Sequence, residues 1–261
     1  MRRVAASMIL AGAAVALGAC GSAGSGSTTA TAGRAATAAA TTPSRTATAT
    51  TSTTAPSGDR ASTIVKPRST HDGCEAVPTP VPRSDTTARR SRKRLRRDRT
   101  YTAIVRTNCG TIRIRLAVKR SPKTTASFAG LAHQRFFDDL EFQRVAHPGG
   151  SDYVIQGGDP LLDNDGGPGY SVVEPPPKST RYVRYVVAMA KTQTDAPGTS
   201  GSQFFIVTAK EVPLDPIYAV LGLVTGGKNV VRRIAALDTD PTTEQPIDPV
   251  VIGSVRIRIS K

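Results

Sequence analysis

Histidine and cysteine are scarce in this chain, three of each among 261 residues. His71, His133 and His147 lie apart with no metal-ligand spacing, which argues against a histidine-based metal centre. No glycine-rich loop ends in Gly-Lys-Ser/Thr, so a phosphate-cradling nucleotide site of that kind is absent. The one stretch that looks like a calcium loop, "DNDGGPGY", fails because Gly167 stands where an oxygen ligand is required. No nucleophile elbow is present either. What these absences leave, among apolar and amide side chains, is one arginine, Arg144, with no cofactor or metal motif of these kinds beside it.

Acidic residues are also in short supply. The chain carries 35 Lys and Arg against 20 Asp and Glu, a formal charge of +15. The imbalance is uneven: residues 1–100 hold 16 basic and 5 acidic side chains, residues 101–261 hold 19 and 15. Composition divides at the same place. The first hundred residues are dominated by Ala, Thr, Ser, Pro and Arg, and the remainder carries nearly all the aromatics and the aliphatic periodicity. One folded domain over residues 99–261 is therefore expected. A domain of about 160 residues buries roughly 70% of the surface its unfolded chain exposes, enough for a core of its own.

At the N-terminus, "MRR" is a positive n-region, "VAASMILAGAAVAL" an apolar stretch of signal-peptide length, and "LGAC" a small-residue cleavage site ending at Cys20. The apolar run is short for crossing a bilayer about 30 Å thick. The motif resembles the lipobox of bacterial lipoproteins, which implies removal of residues 1–19, a lipid on the Cys20 thiol and a place on the outer face of a bacterial cell membrane. An ordinary signal peptide with a chance cysteine, or an uncleaved anchor, is the alternative. From Gly21 to about Gly58 the sequence is nearly pure Ala, Thr, Ser and Gly, too poor in large apolar residues to offset the entropy of ordering, and reads as a disordered tether. Pro-rich "VPTPVPR" (77–83) stiffens the next piece, and "RRSRKRLRRDR" (89–99) follows with its run of basic residues, so residues 20–98 read as a linker. The run suits anionic lipid headgroups or a wall polymer. Nucleic acid is not expected for an exported lipoprotein, and a solvated linker with no dedicated partner is the plain alternative.

The domain opens with "YTAIVRTNCGTIRIRLAV", where Ile112, Ile114 and Leu116 alternate with Arg113 and Arg115: a strand pair with one buried face, turned at "TNCG". "SPKTTASFAGLAHQRFF" then offers Ser121 as N-cap, Pro122 at the first helical position, and Phe128, Leu131 and Ala132 on one face of an amphipathic helix. Strands are expected at "YVVAMA", "QFFIVT", "YAVLGLV" and "VVIGSVRIRI", with a second helix at "KNVVRRIAAL". Most crossings are too short to hold a helix, which favours a mainly β fold: a closed antiparallel barrel flanked by two helices.

Read in series, "EFQRVAHPGGSDYVIQGGDP", "VVAMAK", "GTSGSQFFIVT" and "LDPIYAVLG" resemble the cyclophilin family of peptidyl-prolyl isomerases over roughly residues 100–261. The resemblance implies that Arg144 is the catalytic arginine and Gln156 the amide that orients it. Phe205 would floor a pocket for the substrate's proline ring, with Tyr153, Val154, Met189 and Leu214 around it, Gln203 lining the groove, Tyr218 where many members have His, and the Lys191 backbone holding the peptide chain. Phe204 would go to the core. Gln143 departs from the His that commonly precedes the arginine, the loop from Arg144 to Tyr153 is about four residues longer than usual, and Pro213 stands where many members carry a tryptophan associated with cyclosporin binding. With Cys20 lipidated, Cys74 and Cys109 remain for an oxidising setting, and they are expected to pair; two free thiols are the alternative. Two functions fit: a monomeric prolyl isomerase acting on proline-containing segments of exported or cell-envelope proteins, or a membrane-tethered module or chaperone that grips such peptides with little turnover. The presence of both Arg144 and Gln156 favours the enzyme.

Overall fold

Alternation of apolar and charged residues builds the wall of the fold. In β1 (Thr100–Thr107) and β2 (Gly110–Leu116), Ala103, Val105, Ile112 and Ile114 are fully buried while Arg106, Arg113 and Arg115 face solvent. The computed structural model describes residues 73–261; the leader, Cys20 and the Ala/Thr-rich tether lie outside the described residues. Seven more strands complete the main sheet: β3 (Leu140–Glu141), β4 (Arg144–Ala146), β5 (Val154–Gly157), β6 (Val186–Met189), β7 (Phe204–Val207), β8 (Val220–Gly226) and β9 (Val251–Ser260). They bond in the order β3-β9-β1-β2-β8-β6-β7-β5-β4, every neighbouring pair antiparallel. The two edge strands, β3 and β4, are successive pieces of one segment. The chain itself therefore joins the edges of the curled sheet through Phe142 and Gln143, and the Gly158 N–H donates across the seam to the Glu141 carbonyl at 3.0 Å.

Two helices flank the sheet, α1 (Pro122–His133) and α2 (Lys228–Ala235). In α2 the buried residues Val230, Val231, Ile234 and Ala235 form the single stripe that helical spacing dictates, and the helix stops before Leu237. Helix α1 differs from its expected form in two respects. Ser121 stands at the N-cap position, but its side chain makes no capping bond. The Glu174 carboxylate does so from a distance, accepting the N–H groups of Lys123 at 3.1 Å and Thr124 at 2.8 Å, where a negative charge is favoured by the helix dipole. Nor is α1 amphipathic in effect, because every residue from Thr124 to Ala132 is buried.

Its outer face is covered by the segment expected to be a linker outside the domain. Residues 74–99 run along the domain as a strap. A Cys74–Cys109 disulfide fixes its start to the β1–β2 turn. The Arg83 guanidinium donates to the carbonyls of Phe136 and Asp138, and the Ala88 N–H to the Pro168 carbonyl at 3.0 Å. Arg89 and Gln134 exchange two bonds at 3.0 and 2.8 Å, Leu95 packs against the core, and the Arg96 N–H donates to the Tyr101 hydroxyl at 3.0 Å. Most of its arginines remain in water, as does Val81, while Arg83, Ala88 and Leu95 are half-buried.

Candidate active site

Strand register gathers the site. Arg144 on β4 pairs with Gln156 on β5, Gln156 with Phe205 on β7, Phe205 with Ala188 on β6, and Ala188 with Val220 on β8. Strands lie about 4.8 Å apart, so the backbones of Arg144 and Phe205 are separated by about 10 Å, with Gln156 between them.

Alternation then decides what each side chain meets. Phe204 points into the barrel, edge-on to Phe128, Phe137 and Phe142 with ring centroids 5.7, 6.2 and 5.7 Å away. Phe205 points the other way, into a second apolar cluster on the outer face. That cluster contains Ala146, Val154 and Val207, with Tyr153, Ala190, Leu214 and Tyr218 packed against it. Phe205 meets Tyr218 edge-on at 5.5 Å. Beneath both rings lies Tyr182, fully buried, whose hydroxyl donates to the Tyr218 carbonyl at 2.7 Å and accepts the Tyr218 N–H at 3.0 Å. Burial pushes the Tyr182 phenol up to about 12, so it stays a neutral donor that pins the Tyr218 segment. Burial also raises the phenols of Tyr153 and Tyr218, and the positive charge of Arg144 acts against that rise at each.

The guanidinium is held from two sides. Its Nε donates to Glu244 Oε2 at 2.5 Å and its Nη1 to Gln156 Oε1 at 3.4 Å. Among the described residues Nη2 has no partner. A chain of amides stands behind it: Gln156 Nε2 donates to Gln203 Oε1 at 2.9 Å, and Gln143 Nε2 donates to the same oxygen at 3.2 Å. Gln203 Nε2 in turn donates to the carbonyls of Asn164 and Gly166, both at 2.9 Å. The loop they belong to is itself tied down by Asp159, fully buried, which accepts the N–H groups of Leu161 at 2.8 Å and Asn164 at 2.5 Å. Burial raises the Asp159 carboxyl, and those backbone bonds oppose the rise.

A fixed guanidinium beside an outward apolar pocket matches what the sequence comparisons find. The family described as "Cyclophilin type peptidyl-prolyl cis-trans isomerase/CLD" matches residues 102–257. The chain belongs to the cyclophilin family. Peptidyl-prolyl cis-trans isomerase B of Streptomyces anulatus is 37% identical over 171 residues, 59% of this chain and 94% of the relative. Peptidyl-prolyl cis-trans isomerase A of Mycobacterium tuberculosis is 36% identical over 176 residues, 60% of this chain and 92% of the relative. The crystal structure of a cyclophilin type peptidyl-prolyl cis-trans isomerase from Cryptosporidium parvum superposes with a TM-score of 0.56 at 25% identity, covering 62% of this chain and 99% of that one. A second structure of that protein, in the presence of the dipeptide Ala-Pro, gives 0.55.

The expected site residues do not all come together in this cyclophilin domain. Arg144, Gln156, Tyr153, Val154, Phe205, Leu214 and Tyr218 come together on the outer face as expected from the motifs, with Gln203 tied to Gln156 beside them. Met189 does not join them. It pairs with Phe204 and is buried in the barrel interior, because strand alternation turns it inward, and it is Ala190 that packs on the Phe205 cluster. Lys191 lies next to that cluster with its ammonium bonded to the carbonyls of Thr192 at 2.7 Å and Asp195 at 3.0 Å, 5.9 Å from the Tyr218 ring centre. Cys20 lies outside the described residues. Glu244, Tyr182 and Ala190 are the site residues that sequence reasoning missed. Only Ala190 carried a readable signal, its place one residue beyond an inward Met in an alternating strand.

Proposed function

We propose that this cyclophilin isomerises X–Pro bonds in proline-containing segments of proteins outside the cytoplasm, held at the outer face of the membrane by lipid on Cys20. The X–Pro bond turns slowly because amide resonance opposes rotation with a barrier of about 18–20 kcal/mol. No bond is made or broken, so a catalyst has only to hold the ring and favour the twisted amide, whose nitrogen has regained its lone pair. Phe205, Tyr153, Leu214 and Tyr218 supply an apolar seat for the ring. Arg144, aimed by Glu244 and Gln156, supplies a donor for the amide nitrogen. The observation that carries this reading is the register line that sets Arg144 across Gln156 from Phe205. That the Cryptosporidium parvum protein was crystallised in the presence of the dipeptide Ala-Pro supports a proline-containing ligand. The Cys74–Cys109 disulfide favours an oxidising compartment, and the exposed arginines of the 89–99 strap fit anionic headgroups or a wall polymer.

Exchange NMR on an X–Pro peptide, without a coupling protease, tests the activity. Wild type accelerates exchange, and Phe205→Ala weakens peptide affinity by about tenfold by removing the pocket floor. No acceleration over buffer would leave a proline-peptide binding module. For the location, Cys20→Ala releases the protein from the membrane or blocks processing; a mature N-terminus elsewhere, without lipid, would contradict the anchor.

A further inference from the structure

The wall of the barrel opposite the proline groove is arginine-rich and bare. Arg106 of β1, Arg113 and Arg115 of β2, and Arg258 of β9 are all exposed. Register sets them in rows: Arg115, Thr102 and Arg258 form one line across the three strands, and Arg113, Ile104 and Arg256 the next. Two strand spacings put the paired arginines of a row about 10 Å apart. Arg256 is neutralised by both oxygens of Asp138 at 2.7 Å. Among the described residues the side chains of the other four make no ion pair or hydrogen bond. Strands β1, β2 and β9 contain no Asp or Glu at all.

The topology places this face with respect to the groove. Going round the sheet from β1 to β7, three strands intervene one way and four the other, so the arginine face and the Phe205 pocket occupy opposite walls. Charge is sorted the same way. Residues 101–261 are close to balance, 19 basic against 15 acidic, yet β1, β2 and β9 carry no acid of their own and the one carboxylate that reaches their wall, Asp138, is taken up by Arg256, whereas Asp195 and Glu244 lie at the groove, bonded to Lys191's loop and to Arg144. An ordinary solvated sheet face carries mixed charges. Here every charge borne by the strands is an arginine, one met by Asp138 and four with no counter-charge, a standing repulsion that a layer of phosphates relieves. Guanidinium is also the side chain best shaped to share two donors with a phosphate. The strap leads into this wall directly, Arg97 and Arg99 preceding β1.

We propose that the arginine face of β1, β2 and β9 docks on the phosphate headgroups of an anionic bilayer, which turns the proline groove away from the membrane and toward client chains. The proposal rests on the membrane location proposed above, but the contact itself needs no lipid at Cys20. Its test uses the full chain made without lipid, mixed with phosphatidylcholine vesicles with and without phosphatidylglycerol, and read by co-sedimentation. Arg113→Glu with Arg258→Glu lowers the phosphatidylglycerol-dependent partitioning by about tenfold or more, and the difference shrinks as salt rises. A companion variant, Arg94→Glu with Arg97→Glu, separates the face from the strap. Retention of wild-type isomerisation shows that each variant is folded; if the glutamates fail this check, Arg113→Gln with Arg258→Gln replaces them. Vesicle-bound wild type isomerises a soluble X–Pro peptide as fast as free protein does. Unchanged binding in the sheet-face variant overturns the proposal, and loss confined to the strap variant returns the contact to the basic run alone. Inhibition of isomerisation by vesicles would place the groove against the bilayer and overturn the orientation. Retention of a soluble polyphosphate wall polymer, with no vesicle binding, would overturn the bilayer as partner.

Discussion

Arg144 owes its aim to a residue a hundred positions away. Glu244 sits in the loop before β9 at a positive φ of 59°, its own carbonyl bonded by the Val145 N–H at 2.8 Å, so the backbone delivers its carboxylate to the arginine. Glu244 is thus a positioning residue. Glu244→Ala lowers kcat/KM by about tenfold, roughly 1.4 kcal/mol, with the loss in kcat and little change in KM, and Glu244→Gln is milder because it keeps an acceptor. A rise in KM at unchanged kcat would show that Glu244 shapes binding only. Arg144 and Gln156 were readable because they sit inside a contiguous motif. Glu244 was not, because its contact is made by a loop path that no local spacing encodes. A second carboxylate concerns stability. Glu141 is buried with Oε1 unpartnered, and burial raises its carboxyl above the ordinary range. The folded state then holds a proton that the unfolded chain releases, so stability falls as pH rises from the unfolded carboxylate range through the raised folded value. Glu141→Gln raises the Tm at about pH 7, and the gain shrinks toward about pH 4; an equal gain at both would contradict the burial effect.

At the scale of the element, period-two alternation was the most informative signal in the sequence, and it is also where one inference failed. It puts Phe204 and Phe205 on opposite faces, and the resemblance assigns Phe204 to the core and Phe205 to the outer cluster, where they lie. Applied to β6 it sends Met189 inward with Phe204 and leaves Ala190 at the pocket, against the place that the resemblance implies for Met189. Helix α1 was legible in extent, not in environment, since neither its cap at Glu174 nor its cover by the strap is local in sequence. Gly130 tests that cover. A Cβ at this position would meet the Ser91 Cβ at 2.5 Å. On an uncovered helix Gly130→Ala would stabilise by about 1 kcal/mol through helix propensity. Against a docked strap the clash costs about 1–3 kcal/mol and the variant is less stable. Urea denaturation decides by sign.

For the whole molecule, the disulfide and the strap act together. Cys74 and Cys109 are 35 residues apart, and closing a loop of that length removes enough unfolded-state entropy to contribute about 3–4 kcal/mol. Reduction should lower the urea midpoint accordingly; an unchanged midpoint would mean that the strap adds nothing to the fold. Cysteine arithmetic made the pair legible, while the strap's docking was hidden by a composition that reads as linker. The barrel was legible from its strands and short crossings, and its closure through Phe142 and Gln143 became visible only with the strand order. All of these place one guanidinium beside one apolar pocket. The most direct measurement compares wild type with Arg144→Ala on a single X–Pro peptide, taking exchange rate and affinity from the same NMR samples. Arg144→Ala is predicted to lose at least about tenfold in kcat/KM, roughly 1.4 kcal/mol of transition-state stabilisation, while peptide affinity changes by less than about twofold. Full activity in the variant, or a loss of affinity that matches the loss of rate, would contradict a catalytic role for Arg144.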